Sequence, residues 1–209
     1  MSKRFISVSL FMFFLLSACA GPAATPVAAP LNTAAPATAM PAPIVAQSGF
    51  QDKPAIPNDS GIAGVQTFPD KAFYHNHVQV ISTPEGDLPP TFGEHFRAWQ
   101  NCGIYDQPVE LGSALHSMEH GAVWLTYSPK LDSAQMTDLQ KLVRGHGYVL
   151  LSPYPSQTKP VVLTAWGVQL VIDTLPDERI AKFIAYYENG PQNSEPGAPC
   201  SGAVGNPLP

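Results

Sequence analysis

Apolar and polar positions divide the chain into stretches of very different regularity. Phe5 to Leu16 is an almost wholly apolar run, the following residues to about Gln51 show no period, and strong patterns begin only after residue 120. Ala122-Val-Trp-Leu-Thr-Tyr127 is β-branched and aromatic, which predicts a strand ended by Ser128-Pro129. Met136, Leu139 and Val143 then keep helical spacing, with Asp132 placed to cap, Gln135 as its capping-box partner, and Gly145 where a C′ residue belongs. Strands are predicted at Tyr148 to Ser152, Val161 to Trp166 and Val168 to Asp173. A second helix starts after Pro176, with Ile180, Phe183, Ile184 and Tyr187 as its apolar face and Asn189-Gly190 as its end. Before Gly112 only Val78 to Ile81 reads as a short strand. The order predicts an α+β single domain, a mixed or antiparallel sheet with two helices on one face and a loop-rich N-terminal half.

The apolar run changes the picture of where the chain goes. Lys3 and Arg4 precede it, it is shorter than the ~20 residues of a membrane span, and Leu16-Ser17-Ala18-Cys19 matches a bacterial lipobox. Residues 1–18 are therefore expected to be a lipoprotein signal peptide and Cys19 the lipidated residue. Residues 19–52 are dominated by Ala, Pro and Thr, with no charge from Phe5 through Gln51, and are expected to form an extended tether. Residues 53–209 remain as one globular domain. The expected location is extracytoplasmic, anchored to a bacterial membrane through the lipid on Cys19. The formal charge of −5 becomes −7 without Lys3 and Arg4, which argues against a nucleic-acid partner. Cys102 and Cys200 most simply form a disulfide in an oxidising compartment; the rival is a pair of metal-binding thiolates.

Histidine placement supplies the candidate chemistry. Five of the six histidines fall between residues 75 and 120: His75, His77, His95, His116 and His120. Neutral imidazole is the commonest protein ligand for borderline metals. His116-Ser-Met118-Glu119-His120 offers two geometries. A helix sets His116 and His120 on one face with Met118 turned away; a strand aligns all three as a His₂Met set favouring Cu(I). The imidazole set His77, His95, His116 and His120 suits Cu(II) or Zn(II), with His75 in second rank. Glu119 and Tyr105 are candidates to orient the rings from behind. The pattern also fits the inverted zinc-protease signature with Glu119 as base, but Gly112 and Gly121 argue against the sustained helix which that motif needs. His146, between two glycines, reads as a turn residue; Trp124, Trp166 and Met136 read as core.

Several segments carry a family resemblance. They are Pro89-Pro90-Thr91, Gly93-x-His95, Gly103-Ile-Tyr-Asp106, His116-x-x-Glu119-His120-Gly121, Pro153-Tyr-Pro155, Leu163-Thr-Ala-Trp-Gly167, Asn189-Gly-Pro-Gln192 and Glu195-Pro-Gly-Ala-Pro-Cys200. From about Tyr74 to Cys200 the chain resembles the bacterial domain of unknown function 3105, whose members look secreted or membrane-attached. Phe92, Glu94 and Phe96 depart from the usual pattern, and Met118 stands where Leu is more usual, so the resemblance supports the histidines rather than the thioether.

The leading expectation is a lipid-anchored metal-binding protein, copper preferred and zinc the alternative, that binds, buffers or delivers the ion. The alternatives are a metal-dependent enzyme using the same histidines, with Glu119 as base, and a non-metal interaction module of a membrane complex. Catalysis is the weaker reading, and a metal-delivery or membrane-complex partner accompanies the others.

Overall fold

The β-branched run after Gly121 becomes the central strand of a six-stranded mixed sheet. The computed structural model describes residues 59–68, 76–81 and 86–209, all within a unit spanning Gly49–Pro209. The expected signal peptide, Cys19, the tether and His75 lie outside the described residues.

In chain order the elements are β1 Gln66–Thr67, β2 Gly103–Ile104, α1 Leu111–Glu119, β3 Val123–Tyr127, α2 Ser133–Val143, β4 Val149–Pro153, β5 Val161–Ala165, β6 Val168–Ile172 and α3 Arg179–Tyr187. The sheet order is β1-β6-β5-β3-β4-β2. β3 pairs parallel with β4, and β4 with β2; the remaining pairs are antiparallel. The β3–α2–β4 crossover supplies the parallel pair, since parallel strands need a long connection.

Period-two alternation sends the strand residues to two different cores. Val123, Leu125, Val149, Leu151, Leu163 and Leu170 meet Leu139 and Val143 of α2 and Ile180, Phe183, Ile184 and Tyr187 of α3. Both predicted helices thus lie on one face of the mixed sheet. Asp132 caps α2 in the expected capping box with Gln135, and Gly145 takes φ +90 just beyond its end. The opposite face carries Trp124, Leu150 and Trp166, against which α1 sets Leu111, Ala114, Leu115 and Met118. Polar strand residues on that side are satisfied internally: Trp124 Nε1 donates to Ser152 Oγ at 2.9 Å, and Thr126 Oγ1 to Gln157 Oε1 at 2.7 Å.

Two expectations about the N-terminal half are corrected. Val78 to Ile81 is no strand; a single bridge joins His77 to His95, and residues 79–80 form a bend. The stretch before Gly121 is not loop throughout, because α1 fills it. Gly112 does not break α1, since it sits in the first turn, where the ring of Phe96 lies so close that an added Cβ would come within 2.8 Å. Among the described residues, no helix is long and apolar enough to cross a membrane.

Candidate metal centre

All nine residues of α1 are buried, and the loop of residues 95–100 is bonded along it. Phe96 N donates to Gly112 O, Gln100 N to Ser113 O, and Ser117 Oγ to Gln100 O. His116 therefore leaves the last turn of α1 facing this loop, and His120 follows as the C-cap. His77 arrives by backbone pairing: Val78 N donates to His95 O at 2.9 Å and His95 N to Asn76 O at 3.1 Å. The ring centroids of His77, His95 and His116 form a near-equilateral triangle with sides of 4.9, 4.9 and 5.1 Å. His120 lies 4.4 Å from His116 on its other side.

Three rings are held from behind by backbone carbonyls. His95 Nδ1 lies 2.8 Å from Gly93 O, His116 Nδ1 2.6 Å from Phe96 O, and His120 Nδ1 2.7 Å from Pro199 O. A carbonyl only accepts, so each Nδ1 carries a proton and Nε2 is the nitrogen left for a metal ion or a second proton. Nδ1–H held by a carbonyl is the support that orients a metal-ligating imidazole.

The Nε2 atoms face carboxylates. His95 Nε2 is 2.9 Å and His116 Nε2 3.9 Å from Glu119 Oε2, while His120 Nε2 is 3.4 Å from Glu195 Oε2. His95 Nε2 is buried and makes no hydrogen bond of proper geometry, although that carboxylate oxygen adjoins it. Two such atoms this close in a buried site need a proton between them, on the ring or on the carboxyl, or a metal ion in its place. One ligand atom each from His77, His95 and His116 lies within 4.8 Å of the others, and the same holds for His116, His120 and Glu195.

Burial, then the neighbouring rings of His120 and His95, hold the His116 pKa down to about 4, against the pull of the Phe96 carbonyl. Its ring is neutral at neutral pH, as a ligand must be. Burial and the adjacent His95 likewise lower the pKa of His77. At His95 burial also works downward, but the Glu119 carboxylate and the Gly93 carbonyl outweigh it and raise the pKa.

Other expected participants stand elsewhere. Met118 is fully buried in the core with Trp124 and Trp166, because two residues along a helix rotate a side chain roughly 200° from His116. The His₂Met arrangement is thereby excluded. Tyr105 does not orient a ring; its hydroxyl donates to Asn101 O at 2.7 Å and braces the loop after Trp99. Glu119 faces the Nε2 side rather than standing behind the rings. Cys102 and Cys200 form a disulfide, so they are not a thiolate pair. His146 sits in the turn after α2 and pairs with Glu188 at 2.5 Å. A helix does carry His116 and Glu119, but it ends at Glu119 with His120 as its C-cap and the chain enters β3 at Val123, so the sustained helix of the zinc-protease pattern is absent here.

Glu195 and Trp99 went unrecognised in the sequence as site residues. Glu195 reaches His120 from the C-terminal segment, where Glu195 N donates to Glu119 O and Asn193 Nδ2 to His120 O. Its signal was its place at the head of the motif ending in Cys200, the residue tied to Cys102. The Trp99 ring centroid is 4.9 Å from His120 and 5.8 Å from His116.

No curated protein and no solved structure matches the chain. One family model does, over residues 79–202, which is more than half of the chain and takes in every described site residue except His77. The chain belongs to the family described as "Protein of unknown function (DUF3105)".

Proposed function

We propose that this is a metal-binding protein that holds a divalent ion through His77, His95 and His116, with Glu119 as a neighbouring carboxylate. The observation that carries the reading is the convergence of these imidazoles, two of them fixed through Nδ1 by backbone carbonyls. Rings restrained in this way lose little freedom on binding, which is what a prearranged site needs. With Met118 in the core, the soft-ligand support for Cu(I) falls away. The imidazole and carboxylate set suits Cu(II), which stands above Zn(II) in the affinity order, so copper is preferred and zinc is the alternative. Together with the lipobox at Cys19, the role is an extracytoplasmic, lipid-anchored protein that buffers the ion or delivers it to a partner at the membrane.

The test is to titrate the purified protein with Cu(II), Zn(II) and Cu(I), and to repeat with His95→Ala and His116→Ala. Binding of a divalent ion that falls at least tenfold in both variants supports the reading; binding that is absent, or unmoved by both, removes it.

A second reading, a metal-dependent enzyme, is favoured by the burial of Glu119 beside the imidazoles. It requires Glu119 to act as base on a water at an open coordination position. Metal-loaded protein would then hydrolyse activated esters, and Glu119→Gln would abolish the turnover while the ion stays bound.

A further inference from the structure

The two candidate triads share one residue. His77, His95 and His116 form the first; His116, His120 and Glu195 form the second. His116 cannot serve two ions together, because its Nδ1 is tied to Phe96 O at 2.6 Å and only Nε2 remains to bind. The second triad is as well supported as the first. His120 Nδ1 is held by Pro199 O at 2.7 Å, and both histidines are buried. Glu195 brings a carboxylate that is 45% exposed at the side chain, and His77 is the exposed member of the first triad.

We infer that the cluster is one site with two wells, in which a single ion exchanges between the triads by staying on His116 Nε2 and trading His77 and His95 for His120 and Glu195. The inference rests on the metal-binding reading and adds a route to it. An ion entering beside Glu195 reaches the buried His95 side without ever leaving a protein ligand. Ligand exchange in steps of this kind avoids a fully dissociated ion. A two-sided site also gives a partner access to the ion from the side of either exposed ligand.

The exposed ligands give a test that does not endanger folding. Zn(II) is titrated into the full chain and into His77→Ala, Glu195→Gln and the double variant, with bound zinc counted by elemental analysis. Expected are one ion per chain, a loss of less than tenfold in affinity for either single variant, and a loss of at least a hundredfold for the double, because each triad stands in for the other. Two ions per chain overturn the shared well. So does a hundredfold loss from His77→Ala alone with none from Glu195→Gln, which leaves one ordinary site and the metal reading intact. No bound zinc or copper in the parent protein removes both.

Discussion

His95 Nε2 and Glu119 Oε2 lie 2.9 Å apart, each in a residue with almost no solvent exposure. With the His95 Nδ1 proton committed to Gly93, the contact is favourable when a further proton, or a metal ion in its place, lies between the two atoms. Glu119→Gln replaces the carboxylate by a group of the same size that can donate to Nε2. The metal-free fold is expected to be unchanged or slightly more stable, while divalent-ion affinity falls roughly 10–100-fold, a loss of the size seen when such partners are removed. Thermal melts in chelator and calorimetric titrations check the two halves.

His95→Ala and His77→Ala should separate folding from binding. His95 is wholly buried, and removing its ring leaves a cavity beside Glu119 and Trp166, at a cost of about 2–5 kcal/mol in the metal-free protein. His77 is exposed, so its truncation should change stability by less than about 0.5 kcal/mol. Denaturant melts in chelator read the contrast; equal losses would mean that the burial difference does not govern the site.

Met118 offers a direct check on the excluded thioether. As a core residue packed with Trp124 and Trp166, it should tolerate Leu with a change below about 1.5 kcal/mol, whereas Ala should cost about 2–5 kcal/mol. Cu(I) affinity should be the same in Met118→Leu as in the parent. A tenfold loss of Cu(I) binding in that variant would return the sulfur to the ligand set.

The tail is the other half of the site. Cys102 and Cys200 close a disulfide across a sequence separation of 98, and the same tail supplies the Pro199 carbonyl to His120 and the Glu195 carboxylate. Removing the bridge with Cys200→Ser is expected to lower stability by about 2–5 kcal/mol, since it releases a long loop in the unfolded chain. It should also shift the His120 ring resonances in NMR spectra while leaving those of His95 in place. A variant in which His95 moves as much as His120 would contradict the separate anchoring of the two sides.

Gly121 joins α1 to that tail. Its φ is +101, and a Cβ there would lie 2.5 Å from Asn193 Nδ2 and 2.6 Å from Asn189 Oδ1. Gly121→Ala should therefore destabilise by about 1–3 kcal/mol. It should also push Asn193, and with it Glu195, away from His120. Thermal melts and the zinc affinity of the variant compared with Glu195→Gln check both effects.

An element is legible in this sequence where it has one polar, solvent-facing side to set off its apolar one. α2 and α3 expose one side, so Leu139, Val143, Ile180 and Phe183 stand out from polar neighbours, and the strands β3 to β6 announce themselves by β-branched runs. α1 has no exposed side. Leu111, Ala114, Leu115 and Met118 do keep helical spacing, but the helix is short, its opposite side of Ser113, His116, Ser117 and Glu119 carries no run of charges to mark a solvent face, and Gly112 reads as a breaker although it is a packing requirement. The histidines themselves were legible because imidazole is scarce and their clustering needs no secondary structure. Glu195 was not, since its approach to His120 depends on the disulfide and on the docking of residues 193–195 against the last carbonyls of α1. The imidazole tautomers, set by Gly93, Phe96 and Pro199, are likewise a property of the folded backbone alone.

Those tautomers give the most direct test of the central claim. Long-range ¹H–¹⁵N spectra of the imidazoles, recorded before and after one equivalent of Zn(II), report which ring nitrogen holds a proton and which holds the metal. Expected are Nδ1 protonated in His95, His116 and His120 throughout, with the Nε2 resonances of His95 and His116 moving towards metal-bound values and that of His120 following to the extent that the second triad is occupied. Rings that ignore the zinc, or that bind it through Nδ1, would contradict a site built on carbonyl-anchored imidazoles.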